Sequence, residues 1–190
     1  MASALPISLV VIDRDGTLIR HIPYLCDPAQ VEILPTVREG LAKLQQAGCL
    51  LFLHTNQSGV GRGYFPLQSA LDCNEEMLRR LDLGAGLFAE VCVSPETPDA
   101  EIQYRKPSPR FGRELLEKYG KQPSELCYIG DNLSDLLTAQ NLGCHGVGVN
   151  SGVHDLHVEL AQAGLKDRFV IRDDFKQAVN WLLGNHEALV

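Results

Sequence analysis

Residues 9–18 read LVVIDRDGTL, a run of four apolar residues that leads directly into two acids, Asp13 and Asp15. A short apolar run that ends in a polar turn is typical of a buried parallel strand. Open α/β folds bind ligands at the carboxyl ends of such strands, so both carboxylates are predicted at a ligand-binding edge. Carboxylates this close repel unless a cation or a proton lies between them, and Mg²⁺ prefers oxygen ligands. The plainer alternative is an Asp-Gly turn in which Thr17 caps a helix.

Strand-like apolar runs alternate with helical patterns along the chain. This predicts an α/β fold, with a Rossmann-like, mainly parallel sheet and helices on both faces. One helix is predicted to begin at a capping box formed by Thr36 and Glu39, and another to span 66–83 with Pro66 in its first turn. The 190 residues leave room for one domain, which we expect to span 1–190. Further strands are predicted at 49–53, 87–93, 126–129, 145–149 and 169–171.

Polar side chains follow four of these strands, and parallel strands bring such positions to one edge of the sheet. Together they supply what phosphoryl transfer needs: carboxylates for a metal, donors for the phosphoryl oxygens and an oxygen nucleophile. Each residue alone is compatible with an ordinary turn or helix cap, so the prediction depends on the set. The set consists of Asp13, Asp15, Thr55, Asn56, Arg105, Lys106, Asp131 and Asp135.

Charge and cysteine usage narrow the possible partners. The net charge of −7 argues against a nucleic-acid partner, since phosphate backbones select basic surfaces. No apolar run approaches the roughly 18 residues that a membrane span needs, and residues 1–6 carry no signal-peptide pattern. The six cysteines are scattered without a C-x-x-C pair, which is typical of reduced thiols in the cytoplasm. We expect a cytoplasmic monomer that binds neither nucleic acid nor membrane.

Four motifs resemble those of the haloacid dehalogenase (HAD) superfamily of phosphatases, over residues 9–150. They are DRDGT at 13–17, the strand-end Thr55, Lys106 before a proline, and GDxxxD at 130–135. Within the superfamily, TNQSGVGRGYF at 55–65 and RKPSP at 105–109 are similar to the heptose bisphosphate and histidinol-phosphate phosphatase group. The segment YLCDPAQVEILP at 24–35 favours the heptose branch.

The resemblance implies a role for each motif residue in a phosphatase acting on a small phosphorylated sugar. Asp13 would be the nucleophile that forms an aspartyl-phosphate, and Asp15 the general acid and base. Thr55 and Lys106 would hold the phosphoryl oxygens. Mg²⁺ would be bound by Asp13, the backbone carbonyl of Asp15 and Asp131. The implied substrate contacts are His21, Ile22, Pro23, Tyr24, Asn56, Gln57, Ser58, Arg105 and Asn132.

The sequence departs from that group where its members usually bind zinc. Cys92 is present, but Ser94, Ile102 and Tyr104 stand where a histidine and two cysteines would be. One thiolate cannot make a tetrahedral zinc site, so no zinc is predicted and a shortened, proline-braced loop is expected instead. His21 likewise stands where an acid contacting the sugar is expected.

The resemblance favours heptose 1,7-bisphosphate as the substrate. Three alternatives to its hydrolysis stay open. Histidinol phosphate is the substrate of the neighbouring branch. The motif YRKP at 104–107 also resembles a motif of polynucleotide 3′-phosphatases, although the acidic net charge fits those enzymes less well. A non-catalytic binding module would keep the same fold.

The connections between the motifs are short. They leave room for helices and loops but not for a large cap domain, so an open site shaped by loops is predicted. His154 and His157 are predicted on one surface face of a helix, in preference to a metal pair.

Overall fold

The structure is a computed structural model that describes residues 7–184. Strand β1 (Leu9–Ile12) lies in the interior of its sheet. A parallel strand pairs with it on either side, and all four of its residues are buried. The other strands are β2 (Leu50–Asn56), β3 (Glu90–Ser94), β4 (Leu126–Gly130), β5 (His145–Val149) and β6 (Val170–Arg172). Every pair is parallel, and the order across the sheet is β3-β2-β1-β4-β5-β6. The predicted α/β fold with a parallel sheet is confirmed.

Helices cover both faces of this sheet. They are α1 (Val37–Gln46), α2 (Ser58–Gly61), α3 (Leu67–Leu81), α4 (Arg110–Tyr119), α5 (Leu133–Leu142), α6 (Leu156–Gln162) and α7 (Phe175–Gly184). Side chains alternate between the faces of a strand. Val10 and Ile12 therefore pack with α1, α3 and α7, whereas Leu9 and Val11 pack with α4. Burial on both faces explains why the run is apolar without interruption.

Several element boundaries differ from the prediction. Strand β2 extends past Leu53 to Asn56, so Thr55 lies within the strand rather than after it. Strand β3 begins later than predicted, at Glu90. The glycine-containing stretch after β2, predicted as a flexible loop, includes the short helix α2. Helix α3 begins after Pro66 instead of including it.

The capping box predicted at the start of α1 is wrong. Thr36 has a left-handed backbone, with a φ of 68°, and its side chain does not bond to the helix end. Its hydroxyl donates instead to Asp174 Oδ1 (3.2 Å), directly before α7. Glu39 pairs with Lys176 of α7. Both side chains that the local pattern assigned to the cap therefore contact residues at the start of the distant helix α7.

The connections between consecutive strands, within residues 7–184, hold helices and loops but no separate cap domain, as predicted. In the same part of the chain, none of the helices combines the length and the apolar character that a bilayer crossing requires.

Candidate active site

The strand order changes direction between β1 and β4. From β1 the chain continues outward through β2 and β3, and from β4 it continues the other way through β5 and β6. Asp13 follows β1 and Asp131 follows β4, and Asp13 N donates to Ile129 O (2.9 Å) across the two strand ends. Open sheets bind ligands at such reversal points. Asp13 and Asp131, two of the predicted metal ligands, therefore lie where this fold class binds its ligands.

Three buried carboxylates converge at this point. Oxygens of Asp13, Asp131 and Asp135 all lie within 4.8 Å of one another. Lys106 Nζ donates to Asp13 Oδ1 and to Asp135 Oδ1, at 2.5 Å each, and to the carbonyl oxygen of His54 at 2.9 Å. These three contacts use all the hydrogens of the ammonium group. Three ionised carboxylates against one ammonium would leave two negative charges without a partner.

Burial dominates the acid–base properties of this cluster. It raises the pKa of Asp13 to about 7; the charges of Asp135 and Asp15 add to this effect, and Lys106 opposes it. Burial, followed by the charges of Asp13 and Asp135, also holds the pKa of Asp131 well above its ordinary value. Burial would lower the pKa of Lys106, but the charges of Asp13 and Asp135 outweigh it and raise that pKa. A cluster of oxygen ligands that is short of positive charge fits a hard divalent cation.

Two glycines let the backbone come close to Asp131. A Cβ atom at Gly16, where φ is +85°, would lie 2.1 Å from Asp131 Oδ2, and one at Gly152 would lie 1.8 Å from it. Ser151 Oγ donates to Gly16 O (2.8 Å), which joins the loop after β5 to the loop after β1. Thr17 Oγ1 donates to Asp131 Oδ1 (3.2 Å). The carboxylate of Asp131 is thus enclosed by backbone on two sides.

Asp15 lies beside the cluster and accepts four hydrogen bonds. Arg14 donates from Nε to Oδ2 (3.0 Å) and from Nη2 to Oδ1 (3.2 Å). Thr55 Oγ1 (3.2 Å) and Gln57 Nε2 (2.9 Å) also donate to Oδ2. Arg14 is itself fully buried and donates from Nη1 to Asn74 Oδ1 of α3 at 2.7 Å. Charge-assisted bonds therefore hold the carboxylate of Asp15 in one orientation.

Two adjoining cavities open at this edge and share Asp15, His21 and Asn56 in their walls. One, of about 280 Å³, is lined by Lys106 and by two acids of the cluster, Asp13 and Asp131. The other, of about 310 Å³, is lined by parts of the segments 15–25 and 56–59. Every residue with a catalytic, substrate-binding or metal-binding role predicted from the sequence lines one of them or both: Asp13, Asp15, His21, Ile22, Pro23, Tyr24, Thr55, Asn56, Gln57, Ser58, Arg105, Lys106, Asp131 and Asn132.

A larger cavity, of about 420 Å³, lies elsewhere, next to the first residues of β5 and β6. Its walls include Cys144, His145, Arg168 and Trp181 but none of the strand-end acids. Its position at the opposite ends of the strands separates it from the acid cluster. Chemistry rather than volume therefore identifies the candidate site.

Comparison with known proteins places this geometry in a family. The HAD-hydrolase-like family matches residues 103–178. The D-glycero-β-D-manno-heptose-1,7-bisphosphate 7-phosphatase of Pseudomonas aeruginosa is 34% identical over 147 residues, which are 76% of this chain and 82% of that protein. The chain belongs to this family of HAD phosphatases.

Two further matches extend the likeness over most of this HAD phosphatase. The enzyme of the same name from Bordetella bronchiseptica is 30% identical over 176 residues, 92% of this chain and 97% of that protein. The crystal structure of D,D-heptose 1,7-bisphosphate phosphatase from B. bronchiseptica, complexed with magnesium and phosphate, is similar with a TM-score of 0.83 at 29% identity. That match covers 93% of this chain and 98% of the other. The Rossmann-like HAD fold and the HAD resemblance of the motifs are confirmed.

In this HAD phosphatase, several residues predicted to bind substrate also bond within the protein. Gln57 is buried and donates to Asp15. Asn56 pairs with the backbone of Lys106, donating from Nδ2 to its carbonyl (3.2 Å) and accepting from its N–H (3.0 Å). Asn132 caps α5 with its side-chain oxygen. These bonds position the site, and the contacts of the same residues with a substrate stay predictions.

Four residues at the site have no role in the predicted set. Arg14 stands between the two acids of the first motif, and Asp135 belongs to the strand-end set without an assigned function. Val153 and His154 reach the 280 Å³ cavity from the loop after β5. The prediction that His154 shares a helix with His157 is wrong, because α6 begins after His154. The available signal for Val153 and His154 was their place in the loop after β5, which leaves the same sheet edge as the loop that carries Asp131.

Proposed function

We propose that this HAD phosphatase hydrolyses the 7-phosphate of D-glycero-D-manno-heptose 1,7-bisphosphate with Mg²⁺ as its cofactor. The observation that supports the chemistry is the acid cluster of Asp13, Asp131 and Asp135 around Lys106, with Asp15 held beside it. The names of the relatives from P. aeruginosa and B. bronchiseptica support the substrate.

The proposed reaction has two steps, and Asp13 reacts in both. In the first, a carboxylate oxygen of Asp13 attacks phosphorus while the bond from phosphorus to the sugar oxygen breaks, and Asp15 gives its proton to the departing oxygen. In the second, Asp15 takes a proton from a water molecule as that water attacks phosphorus. The bond between phosphorus and the Asp13 oxygen breaks, which restores Asp13 and releases phosphate. The four donors on Asp15 fix the carboxylate for both transfers.

Lys106 and Thr55 are proposed to stabilise the phosphoryl group. In the structure, Lys106 already donates to Asp13, Asp135 and a backbone carbonyl. It therefore orients the nucleophile as well as contributing positive charge, and a phosphoryl oxygen would share its hydrogens with these partners.

Asp13, Asp131 and Asp135 would hold Mg²⁺, together with the backbone carbonyl of Asp15. The test of fit is the surplus of negative charge in a buried cluster made of oxygen ligands. When bound, Mg²⁺ would neutralise charge on the phosphoryl oxygens and on the acids. No structural zinc is proposed, because Cys92 alone remains of the group's zinc ligands and one thiolate cannot make a tetrahedral site.

The 310 Å³ cavity is proposed to hold the sugar. It joins the acid cluster through Asp15, so a substrate can reach both. His21, Tyr24 and Ser58 present polar and aromatic groups to it. Arg105, on the other cavity, adds a cation for the anionic substrate.

The test is phosphate release in the presence of Mg²⁺ from heptose 1,7-bisphosphate, histidinol phosphate, a 3′-phosphorylated oligonucleotide and an aryl phosphate. We expect kcat/KM for the heptose substrate to exceed the others by about 100-fold or more, with heptose 1-phosphate as the product. A preference for another member of the panel, or equally low rates on all, would contradict the substrate. No release from any of them would favour a binding module.

We also propose that the chain acts as a single-domain monomer in the cytoplasm. All six cysteines are free, which supports a reducing compartment.

A further inference from the structure

Glu96 organises the loop that follows β3 and leads to α4. Its Oε2 atom accepts hydrogen bonds from the backbone N–H groups of Gln103 (2.7 Å) and Arg105 (3.0 Å), and its Oε1 atom accepts one from Tyr104 (2.9 Å). One carboxylate thus binds three consecutive amides. The bonds span seven to nine residues of chain, so they close the loop on itself.

The same residue also contacts the side chain of Arg105. Arg105 Nη1 donates to the backbone carbonyl of Glu96 at 3.1 Å. Arg105 is therefore held at Glu96 in two ways: the carboxylate binds its backbone N–H, and the backbone carbonyl binds its guanidinium. Arg105 lines the 280 Å³ cavity beside Lys106, so this arrangement directs a cation to the site.

The charge state of Glu96 agrees with this geometry. Partial burial would raise the pKa of its carboxyl, but the three backbone N–H groups and Arg105 outweigh it and lower that pKa. Glu96 is therefore an anion near neutral pH, which strengthens each of the three hydrogen bonds.

Lys106 and Tyr104 have other anchors. Asn56 binds both backbone groups of Lys106, and His54 Nε2 donates to Tyr104 O at 2.9 Å. Both anchors come from β2, which is part of the sheet. Loss of Glu96 would consequently loosen Arg105 more than Lys106.

We propose that Glu96 is a positioning residue for substrate recognition, which acts by holding Arg105 toward the phosphorylated substrate. The proposal rests on the proposed function, because it needs an anionic substrate in the 280 Å³ cavity. It also gives the loop that was predicted to lack zinc an internal anchor made by a carboxylate and three amides.

The test compares Glu96→Gln with the control Glu101→Gln. Glu101 lies in the same loop, and among residues 7–184 its side chain bonds only to the exposed side chain of Gln103. We expect KM for heptose 1,7-bisphosphate to rise about 10-fold in Glu96→Gln while kcat changes less than about three-fold, because uniform binding is lost and the reacting groups stay in place. The Glu101→Gln variant should match the wild type.

A double-mutant cycle separates positioning from a general effect on folding. If Glu96 acts through Arg105, the variant Glu96→Gln/Arg105→Ala should have the same KM as Arg105→Ala alone. If the double variant instead had a KM raised by the combined effects of both single substitutions, the proposal would be overturned. An unchanged KM in Glu96→Gln would also overturn it. If that variant unfolds at the assay temperature, Glu96→Asp replaces it in the cycle, with the same two outcomes. Failure of the wild type to hydrolyse the substrate would refute the proposed function instead.

Discussion

At the scale of single residues, His54 has the pKa most strongly lowered by its surroundings among the histidines of residues 7–184. It is fully buried, its ring centroid lies 5.1 Å from that of Phe111, and Nε2 donates to Tyr104 O. Burial, together with the charge of Lys106, lowers its pKa from 6.5 to about 3, although the bond to Tyr104 opposes the shift. The imidazole is therefore neutral in the folded protein over a pH range in which an unfolded chain would protonate it.

This difference predicts a loss of stability in acid. Between the unfolded pKa of 6.5 and the folded pKa of about 3, only the unfolded chain binds the proton, so the free energy of unfolding falls as the pH falls. The contribution of His54 is about 1.4 kcal/mol per pH unit below 6.5 and nothing above it. We expect the stability of His54→Gln to fall less steeply between pH 6.5 and pH 4.5 than that of the wild type.

Urea denaturation at a series of pH values measures this difference. Buried acids such as Asp13 contribute in both proteins, so they cancel in the comparison. The control is His157→Gln, which changes an exposed histidine and should keep the slope of the wild type. Parallel curves for His54→Gln and the wild type would contradict the assignment of a neutral buried imidazole.

At the scale of elements, the contact between α1 and α7 joins two helices that lie far apart in the sequence. Gly40 of α1 faces Phe175 and Val179 of α7 without a side chain of its own. Lys43 donates to Asn180 Oδ1 (2.6 Å) on the edge of the same contact. The interface is therefore apolar and close in its centre, with polar pairs at its margin.

We predict that Gly40→Ala destabilises the protein despite the better helix propensity of alanine. The added Cβ would lie 2.6 Å from Cδ1 of Phe175, a ring that is itself buried. Overpacking costs about 1–3 kcal/mol, whereas the gain in helix propensity is about 0.8–1 kcal/mol. The net change should be a loss of about 1 kcal/mol in the free energy of unfolding, measured with urea.

Gln45→Ala on the exposed face of α1 is the matched control for this substitution. It should change stability by less than about 0.5 kcal/mol. If Gly40→Ala were as stable as the wild type or more so, the close contact with Phe175 would be refuted.

At the scale of the whole molecule, the sequence predicted the features that depend on one strand at a time. Asp13 and Asp131 could be placed because a buried strand ends directly before each of them and parallel strands end at one edge. The role of Arg14 could not be predicted, because its partner Asn74 lies 60 residues away in the sequence. No local pattern shows which helix face covers the end of a strand. The capping role predicted for Thr36 is wrong, because its backbone is left-handed and its hydroxyl donates to the distant Asp174.

The charge surplus of the site predicts that Mg²⁺ stabilises the whole fold. Binding to the folded state alone adds about 2.7 kcal/mol to the free energy of unfolding at 100 times the dissociation constant. Asp131→Asn keeps the shape of the side chain and removes one charge. We expect MgCl₂ to raise the melting temperature of the wild type relative to EDTA, and to have little effect on Asp131→Asn. An equal rise in both proteins would show that the ion binds elsewhere. The control Asp72→Asn, at a half-exposed position of α3, should behave as the wild type does.

The most direct test of the account is the turnover of Asp13→Asn on heptose 1,7-bisphosphate. The substitution preserves the size of the side chain and removes the nucleophilic carboxylate, so the rate should fall about 1000-fold or more. Asp72→Asn is again the control and should keep the wild-type rate. The melting temperature of Asp13→Asn with EDTA should stay at or above that of the wild type, because one charge of a repelling cluster is removed. Turnover within 10-fold of the wild type would show that Asp13 is not the nucleophile that attacks phosphorus.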